Sequence, residues 1–124
     1  MMPPDVFEAR ITEIFEKDNR YDPDAYFFLR EGMDHAIGTM KKGAKQHLSG
    51  KEVSLALRDY ALLEFGPMAL FVLNEWGLHK TEDFGNLVYN LINAAVFTKT
   101  TADKREDFNN VFDFHDAFAK PYLP

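Results

Sequence analysis

The architecture depends most on residues 49–114, which read SGKEVSLALRDYALLEFGPMALFVLNEWGLHKTEDFGNLVYNLINAAVFTKTTADKREDFNNVFDF. Apolar residues recur at helical spacing in three runs of this stretch, and turns that contain glycine separate the runs. The first run opens with the Ser-x-x-Glu pattern of a capping box, formed by Ser49 and Glu52. The stretch therefore predicts three consecutive helices, of which the second is short and apolar on every side.

Residues that favour strands follow the third of these helices. Val96 to Thr100 is β-branched and aromatic, and Val111-Phe112-Asp113-Phe114 can pair back on it across the polar loop 101–110. Helix, turn, helix and hairpin is the order of a winged helix-turn-helix. The sequence thus predicts a mainly α (α+β) fold of about five helices with a short C-terminal β-hairpin, winged helix-turn-helix-like. An ordinary helical bundle with a small hairpin is the alternative.

Two more helices are predicted before residue 49. The first carries an apolar stripe that includes Phe7 and Ile11. The second begins at Asp22-Pro23, an N-cap residue followed by a proline suited to the first turn. It is expected to end near Gly43.

Composition limits the classes of protein that fit. The chain has 124 residues, so we expect a single domain, 1–124, made of an N-terminal helical pair (1–48) and a winged-helix-like part (49–118). Cysteine is absent, which excludes disulfides, thiolate metal sites and cysteine nucleophiles. The net charge of −6 repels phosphate backbones at long range. With no signal peptide pattern and no apolar run long enough to cross a bilayer, we expect a cytoplasmic protein without a membrane partner.

Candidate partner-binding residues lie on the fifth predicted helix and in the turn before the second. Aromatic residues and arginine are good anchors for a partner, and several are present here. The set comprises Arg20, Tyr21, Asp83, Phe84, Asn86, Tyr89, Asn90 and Asn93. It predicts a non-enzymatic interaction module that binds a protein partner or forms a homodimer.

The alternative is a winged-helix regulator that binds nucleic acid. Asn86, Asn90 and Asn93 would read adenine, and the basic cluster Lys41, Lys42 and Lys45 would contact phosphates. The recognition helix, however, would begin with Thr81-Glu82-Asp83, so two carboxylates would meet the duplex. Charge therefore disfavours nucleic acid as the partner.

Enzyme chemistry has little support in the sequence. The four histidines show no His-x-x-x-His ligand spacing, and no glycine-rich phosphate loop or nucleophile elbow is present. Asp113, His115 and Asp116 could form a small metal or acid–base cluster, but acidic residues are common at such chain turns. We therefore expect neither an enzyme nor a cofactor or metal.

A series of short motifs resembles a known family. The motifs are Asp18-Asn19-Arg20-Tyr21, Asp24-Ala25-Tyr26, Phe65-Gly66-Pro67-Met68-Ala69, Trp76-Gly77, Thr81-Glu82-Asp83-Phe84-Gly85, Asn90-Leu91, Lys99-Thr100, Glu106-Asp107-Phe108 and Phe112-Asp113-Phe114. Together, over residues 14–118, they resemble a family of small bacterial proteins labelled hypothetical or Minf-type. The resemblance implies a single-domain bacterial cytosolic protein and supplies no catalytic residues. The chain departs from the family pattern at residues 94–97 and 109–111, where the family is expected to have glycine.

Overall fold

The computed structural model of the protein describes residues 3–39, 48–97 and 104–124. The α-helices in these ranges are α1 (Pro4–Lys17), α2 (Pro23–Thr39), α3 (Gly50–Phe65), α4 (Ala69–Glu75), α5 (Thr81–Asn93) and α6 (Phe114–Phe118). Short 3-10 turns occupy Gly66–Met68, Arg105–Phe108 and Lys120–Tyr122. No helix in the described ranges is both long enough and apolar enough to cross a membrane.

The helix starts follow local rules that are visible in the sequence. The capping box before α3 is complete: the Glu52 amide donates to Ser49 Oγ at 3.2 Å, and the Ser49 amide donates to the Glu52 carboxylate at 3.0 Å. Helix α2 begins at Pro23, as predicted. Its predicted end near Gly43 lies outside the described residues, as do Lys41, Lys42 and Lys45.

The predicted winged helix is wrong, because the described residues contain no strand. Val96 and Phe97 curl back over the end of α5, where both backbone amides donate to the Leu91 carbonyl, at 2.9 and 3.2 Å. Both amides are therefore used at the C-terminal end of α5 and cannot donate to a neighbouring strand, so the preference of Val96 and Phe97 for a strand is overridden. The rest of this predicted strand, residues 98–100, lies outside the described residues.

The second predicted strand also takes another form. Phe114 begins α6, and the Asp113 carboxylate caps that helix by accepting from the Asp116 amide at 3.0 Å. The helical turn brings Phe114 and Phe118 together edge to face at a centroid distance of 5.2 Å. Both side chains are buried in this arrangement, and they form one aromatic cluster with Phe84 of α5.

The core lies where α2, α3 and α5 meet. Its fully buried side chains include Tyr26, Leu29, Leu57, Leu73, Phe84, Leu87 and Leu91. Phe108, from the 3-10 turn after α5, fills a slot between α3 and α5 that exists because Gly50 and Gly85 have no side chains. A Cβ atom at either glycine would lie 3.0 Å or less from Phe108 or its neighbour Asp107.

Side chains at the start of α5 form hydrogen bonds with the backbone of residues 108–111. Thr81 Oγ1 donates to the Phe108 carbonyl at 2.7 Å and accepts from the Val111 amide at 3.1 Å. The Glu82 carboxylate accepts from the Asn110 amide at 3.2 Å. The residues predicted to approach DNA are thus engaged with the protein's own backbone.

Candidate functional site

The polar face of α5 is bonded to the chain around the α1–α2 turn. We call this set of hydrogen-bonded side chains the α5 network. Its members are Asp18, Arg20, Tyr21, Tyr26, Asp83, Asn86, Asn90 and Arg105. Residues more than sixty positions apart in the sequence meet in it, so it fixes how α5 sits against the first two helices.

One half of the α5 network is centred on the Tyr21 hydroxyl. It donates to the Asp83 carboxylate at 2.7 Å and accepts from the Asn86 amide nitrogen at 2.8 Å. The other Asp83 oxygen accepts from the backbone amides of His79 and Lys80, at 2.8 and 3.2 Å. Burial, reinforced by the bond to Asp83, raises the pKa of Tyr21 to about 12, even though the Asn86 bond lowers it. The phenol is therefore neutral and a hydrogen-bond donor at physiological pH.

The other half is centred on Asp18. Arg20 binds its carboxylate through two nitrogens, at 2.9 and 2.8 Å, in the fork geometry that makes such pairs strong. The Asn90 side-chain nitrogen donates to Asp18 at 2.9 Å and to the Tyr26 hydroxyl at 2.9 Å. The Arg20 bond is the main reason that the pKa of Asp18 lies well below its ordinary value, while burial acts against it. Asp18 is thus a fixed anion whose oxygens are already occupied.

The residues predicted to bind a partner fall into three groups. Arg20, Tyr21, Asp83, Asn86 and Asn90 belong to the α5 network and bind one another or their neighbours. Of the others, Phe84 is in the core with no exposed surface, Asn93 is exposed near the end of α5, and Tyr89 is half-buried beneath the Arg105 guanidinium. Most of the predicted binding face is therefore used to hold the fold together.

A polar cleft of about 470 Å³ opens beside the α5 network, between α1 and the end of α5. Its charged lining residues are Arg10, Glu13, Lys17 and Asp18. Arg10 pairs with Glu13 at 3.3 Å, and Asp18 is held by Arg20. Because opposite charges alternate around the cleft and largely cancel, its lining selects no class of ligand.

The acidic cluster near the C-terminus is accounted for by the local helix. Ligand atoms of Asp113, His115 and Asp116 lie within 4.8 Å of one another, and all three side chains are exposed. Asp113, however, caps α6, and Asp116 pairs with Lys120 at 3.4 Å. Both carboxylates therefore have a structural role that needs no metal.

A second cleft, of about 270 Å³, lies between α2 and the α3–α4 corner. We call it the acidic aromatic cleft. It is lined by Asp24, Phe27, Phe28, Glu31, Tyr60, Glu64, Phe65 and Trp76. Sequence reasoning missed it because residues of two helices, α2 and α3, meet Trp76 at the end of α4 to form it. The available signal was the spacing of acidic and aromatic residues on one face of α2, where Asp24, Phe28 and Glu31 follow at intervals of four and three.

The corner between α3 and α4 exposes large apolar side chains. We call Leu63, Met68 and Phe71 the apolar corner; their exposed fractions are 67%, 54% and 58%. Glu64 and Glu75 lie nearby in the sequence, as does Asp59, which pairs with Arg58 at 3.0 Å. The apolar corner is therefore an exposed hydrophobic surface that borders the carboxylates of the acidic aromatic cleft through Glu64.

No family model matches the chain, and no curated protein or solved structure is significantly similar to it. The resemblance to the Minf-type family accordingly stays a prediction. The fold defines a helical domain with an internally bonded α5 face, an acidic aromatic cleft and an apolar corner.

Proposed function

We propose that this protein is a non-enzymatic interaction module that binds a protein partner, or a second copy of itself, through the apolar corner. The observation that carries the proposal is the exposure of Leu63, Met68 and Phe71, each more than half exposed. Single exposed apolar residues are ordinary, but several large ones on the short stretch of chain around one helix corner are typical of interaction surfaces. Met68 and Phe71 are three residues apart in consecutive helical turns, a spacing that places them on one side.

The chemistry of the remaining surface supports a binding role over a catalytic one. His35, His79 and His115 are exposed and belong to three different parts of the chain. None of them lines the polar cleft or the acidic aromatic cleft. Catalysis by acid–base or nucleophilic groups needs such side chains to converge on a cavity, which these three do not do.

The proposed interaction surface does not lie on α5, where the sequence predicted it. The polar residues of α5 predicted to contact a partner or DNA are engaged within the α5 network, so using them would first require breaking internal bonds. A regulator that binds nucleic acid would need a winged helix, and the described residues contain no strand to form the wing.

A matched pair of leucine substitutions tests the proposed surface. Leu63→Ser removes an apolar side chain at the corner, and Leu123→Ser removes a similarly exposed one, 59%, in the C-terminal tail. Burying a leucine at an interface is worth about 1.5–3 kcal/mol, so L63S should weaken association roughly tenfold or more, while L123S should not. Sedimentation velocity of the purified protein over a range of concentrations measures self-association. Quantitative capture from lysate of the source organism, with nuclease treatment, measures partner binding.

Two outcomes would count against the interaction module. The first is a monomer at every concentration combined with no protein captured by the wild type above background. The second is capture of the same proteins, in the same amounts, by wild type and L63S, which would remove the apolar corner from the binding surface.

A further inference from the structure

The walls of the acidic aromatic cleft are built from clustered aromatic rings. The Trp76 ring lies 5.6 Å from the Phe28 ring and 5.7 Å from the Phe65 ring, between ring centroids. Phe28 and Tyr60 are buried at the floor, whereas Phe65 and Trp76 are half-buried at the sides. Aromatic faces carry a partial negative charge and attract cations placed over them. The walls thus favour a cation that also has apolar surface.

The charged side chains that line the cleft are all acidic. Asp24, Glu31 and Glu64 are exposed, and among the described residues no lysine, arginine or histidine lines the cleft. The Tyr60 hydroxyl donates to Glu31 at 3.3 Å. Burial, together with the nearby Glu64 and Glu31 carboxylates, raises the pKa of Tyr60 to about 12, in keeping with a negative local potential. The cleft therefore combines acidic side chains with an aromatic interior.

We propose that the acidic aromatic cleft binds the charged end of an arginine or lysine side chain presented by a protein partner. This inference rests on the proposed function, because the cleft would serve the same interaction as the apolar corner. Its volume of about 270 Å³ is below the roughly 300–1,000 Å³ of pockets for drug-sized ligands and suits a single side chain. The three carboxylates of the cleft do not form a group close enough together to hold a metal ion, whereas the aromatic walls match the flat guanidinium and the apolar stem of arginine.

Position and charge favour a basic partner over a second copy of the chain. Leu63 of the apolar corner directly precedes Glu64 and Phe65 of the cleft, so one bound segment can reach both surfaces. A two-fold dimer through this region would bring the Glu31 and Glu64 carboxylates of one copy towards the same residues of the other. A partner with basic residues beside its apolar anchors gains attraction where the dimer meets repulsion.

The inference can be tested first with small probes, because Trp76 is the only tryptophan in the chain and lines the cleft. Nα-acetyl-arginine amide carries the cation, and Nα-acetyl-citrulline amide has nearly the same shape without the charge. At constant ionic strength, the arginine probe should change Trp76 fluorescence saturably, and the citrulline probe should not. An equal response to both probes would overturn the inference, since the site would then not select a cation.

A charge-matched pair of double variants separates the cleft from general electrostatics. Glu31→Gln with Glu64→Gln removes two carboxylates at the cleft, and Glu8→Gln with Glu16→Gln removes two exposed ones on α1. Glutamine at position 31 keeps an acceptor for the Tyr60 hydroxyl, and melting temperatures check that both variants fold. The cleft variant should lose about tenfold in affinity for the arginine probe, and the α1 variant less than twofold. Equal effects of the two variants would contradict the proposal.

Two further probes decide the source of the cation. An amphipathic helical peptide with arginine one turn from two leucines should bind at least about ten times more tightly than the same peptide with citrulline. Tetramethylammonium represents free ammonium compounds. If it binds more tightly than the arginine peptide, the cleft is a small-molecule site and a partner side chain is the wrong source.

The peptide experiment also separates this inference from the proposed function. L63S should weaken the arginine and citrulline peptides alike, because it acts on the apolar contact. The cleft variant should weaken only the arginine peptide. If L63S weakens binding and the cleft variant does not, the inference fails while the interaction module stands. If neither variant affects either peptide or the captured partner, both fail.

Discussion

Replacing Tyr21 with phenylalanine should destabilise the protein measurably, although only one oxygen atom is lost. Tyr21 is 2% exposed, and its hydroxyl links Asp83, at 2.7 Å, to Asn86, at 2.8 Å. Phenylalanine keeps the ring but leaves a nearly buried carboxylate without one of its donors. A hydrogen bond to a charged group contributes about 1.5–3 kcal/mol, so the free energy of unfolding should fall by roughly 2 kcal/mol.

Urea unfolding at neutral pH, followed by circular dichroism, measures this loss. Tyr122→Phe is the matched control, because Tyr122 is 46% exposed in the tail and its substitution should change the free energy of unfolding by less than about 0.5 kcal/mol. Combining Tyr21→Phe with Asp83→Asn gives a double-mutant cycle, for which we expect a coupling energy of about 1–2 kcal/mol. Additive effects would show that the two side chains do not stabilise each other.

The same variant predicts a dependence on alkaline pH. The pKa of Tyr21 is raised from 10.0 to about 12, because the folded protein favours the neutral phenol. Its stabilisation is therefore complete below pH 10 and is lost as pH rises through about 12, a change of roughly 2–3 kcal/mol. The stability difference between wild type and Tyr21→Phe should shrink over this window. A difference below 0.5 kcal/mol at neutral pH, or one that stays constant to pH 12, would refute the role assigned to the hydroxyl.

Substitutions at Gly77 and at Asp18 test the backbone packing and the stability at low pH. Gly66 and Gly77 both have positive φ, 50° and 90°, but a Cβ atom at Gly77 would overlap the Arg20 carbonyl oxygen, whereas none lies within 4 Å at Gly66. Gly77→Ala should therefore cost at least about 2 kcal/mol more than Gly66→Ala in urea unfolding, and equal costs would contradict the close packing. Asp18 has a lowered pKa, so its stabilisation is present above its ordinary value of 3.8 and is lost as pH falls through the lower folded value. The advantage of wild type over Asp18→Asn should shrink below pH 3.8, and a constant advantage in acid would contradict the Arg20 pairing.

The predictable part of the fold is the part decided by short-range contacts. The start of α3 depends on two hydrogen bonds between Ser49 and Glu52, three residues apart, and both groups are visible in the sequence. The corner at Gly66-Pro67 is likewise local, because glycine supplies the positive φ and proline the first turn. Helix boundaries of this kind can be found without knowing what the helix packs against.

The hairpin failed because a strand needs a partner that local sequence does not supply. Val111 and Phe112 have strand propensity, but the adjacent Asp113 caps a helix, and Phe112 and Phe114 pack against Phe84 of α5, at centroid distances of 6.4 and 5.6 Å. Strand propensity measures fit to a pleated, half-buried surface and loses to such packing. The decisive contact, with a residue of α5 almost thirty positions earlier, has no local signature.

The prediction of the binding site was also limited, because local sequence does not show what a polar face contacts. Periodicity identified Asn86 and Asn90 as a polar face of α5, and that face is polar. Periodicity cannot say whether the partner of a polar face is water, another molecule or a distant part of the same chain, and here it is Tyr21 and Asp18. The binding surface was therefore assigned to residues that stabilise the fold.

The acidic residues therefore fall into two groups with different roles. Asp18 and Asp83 are held by several hydrogen bonds each, so their charge is satisfied inside the molecule. Glu31 and Glu64, by contrast, keep exposed carboxylates at an aromatic cleft. An acid that is already paired has little attraction left for an approaching cation, whereas an exposed one beside an apolar surface attracts it and adds specificity. The net negative charge of the chain, which argues against a nucleic-acid partner, is for the same reason an argument for a partner that is basic.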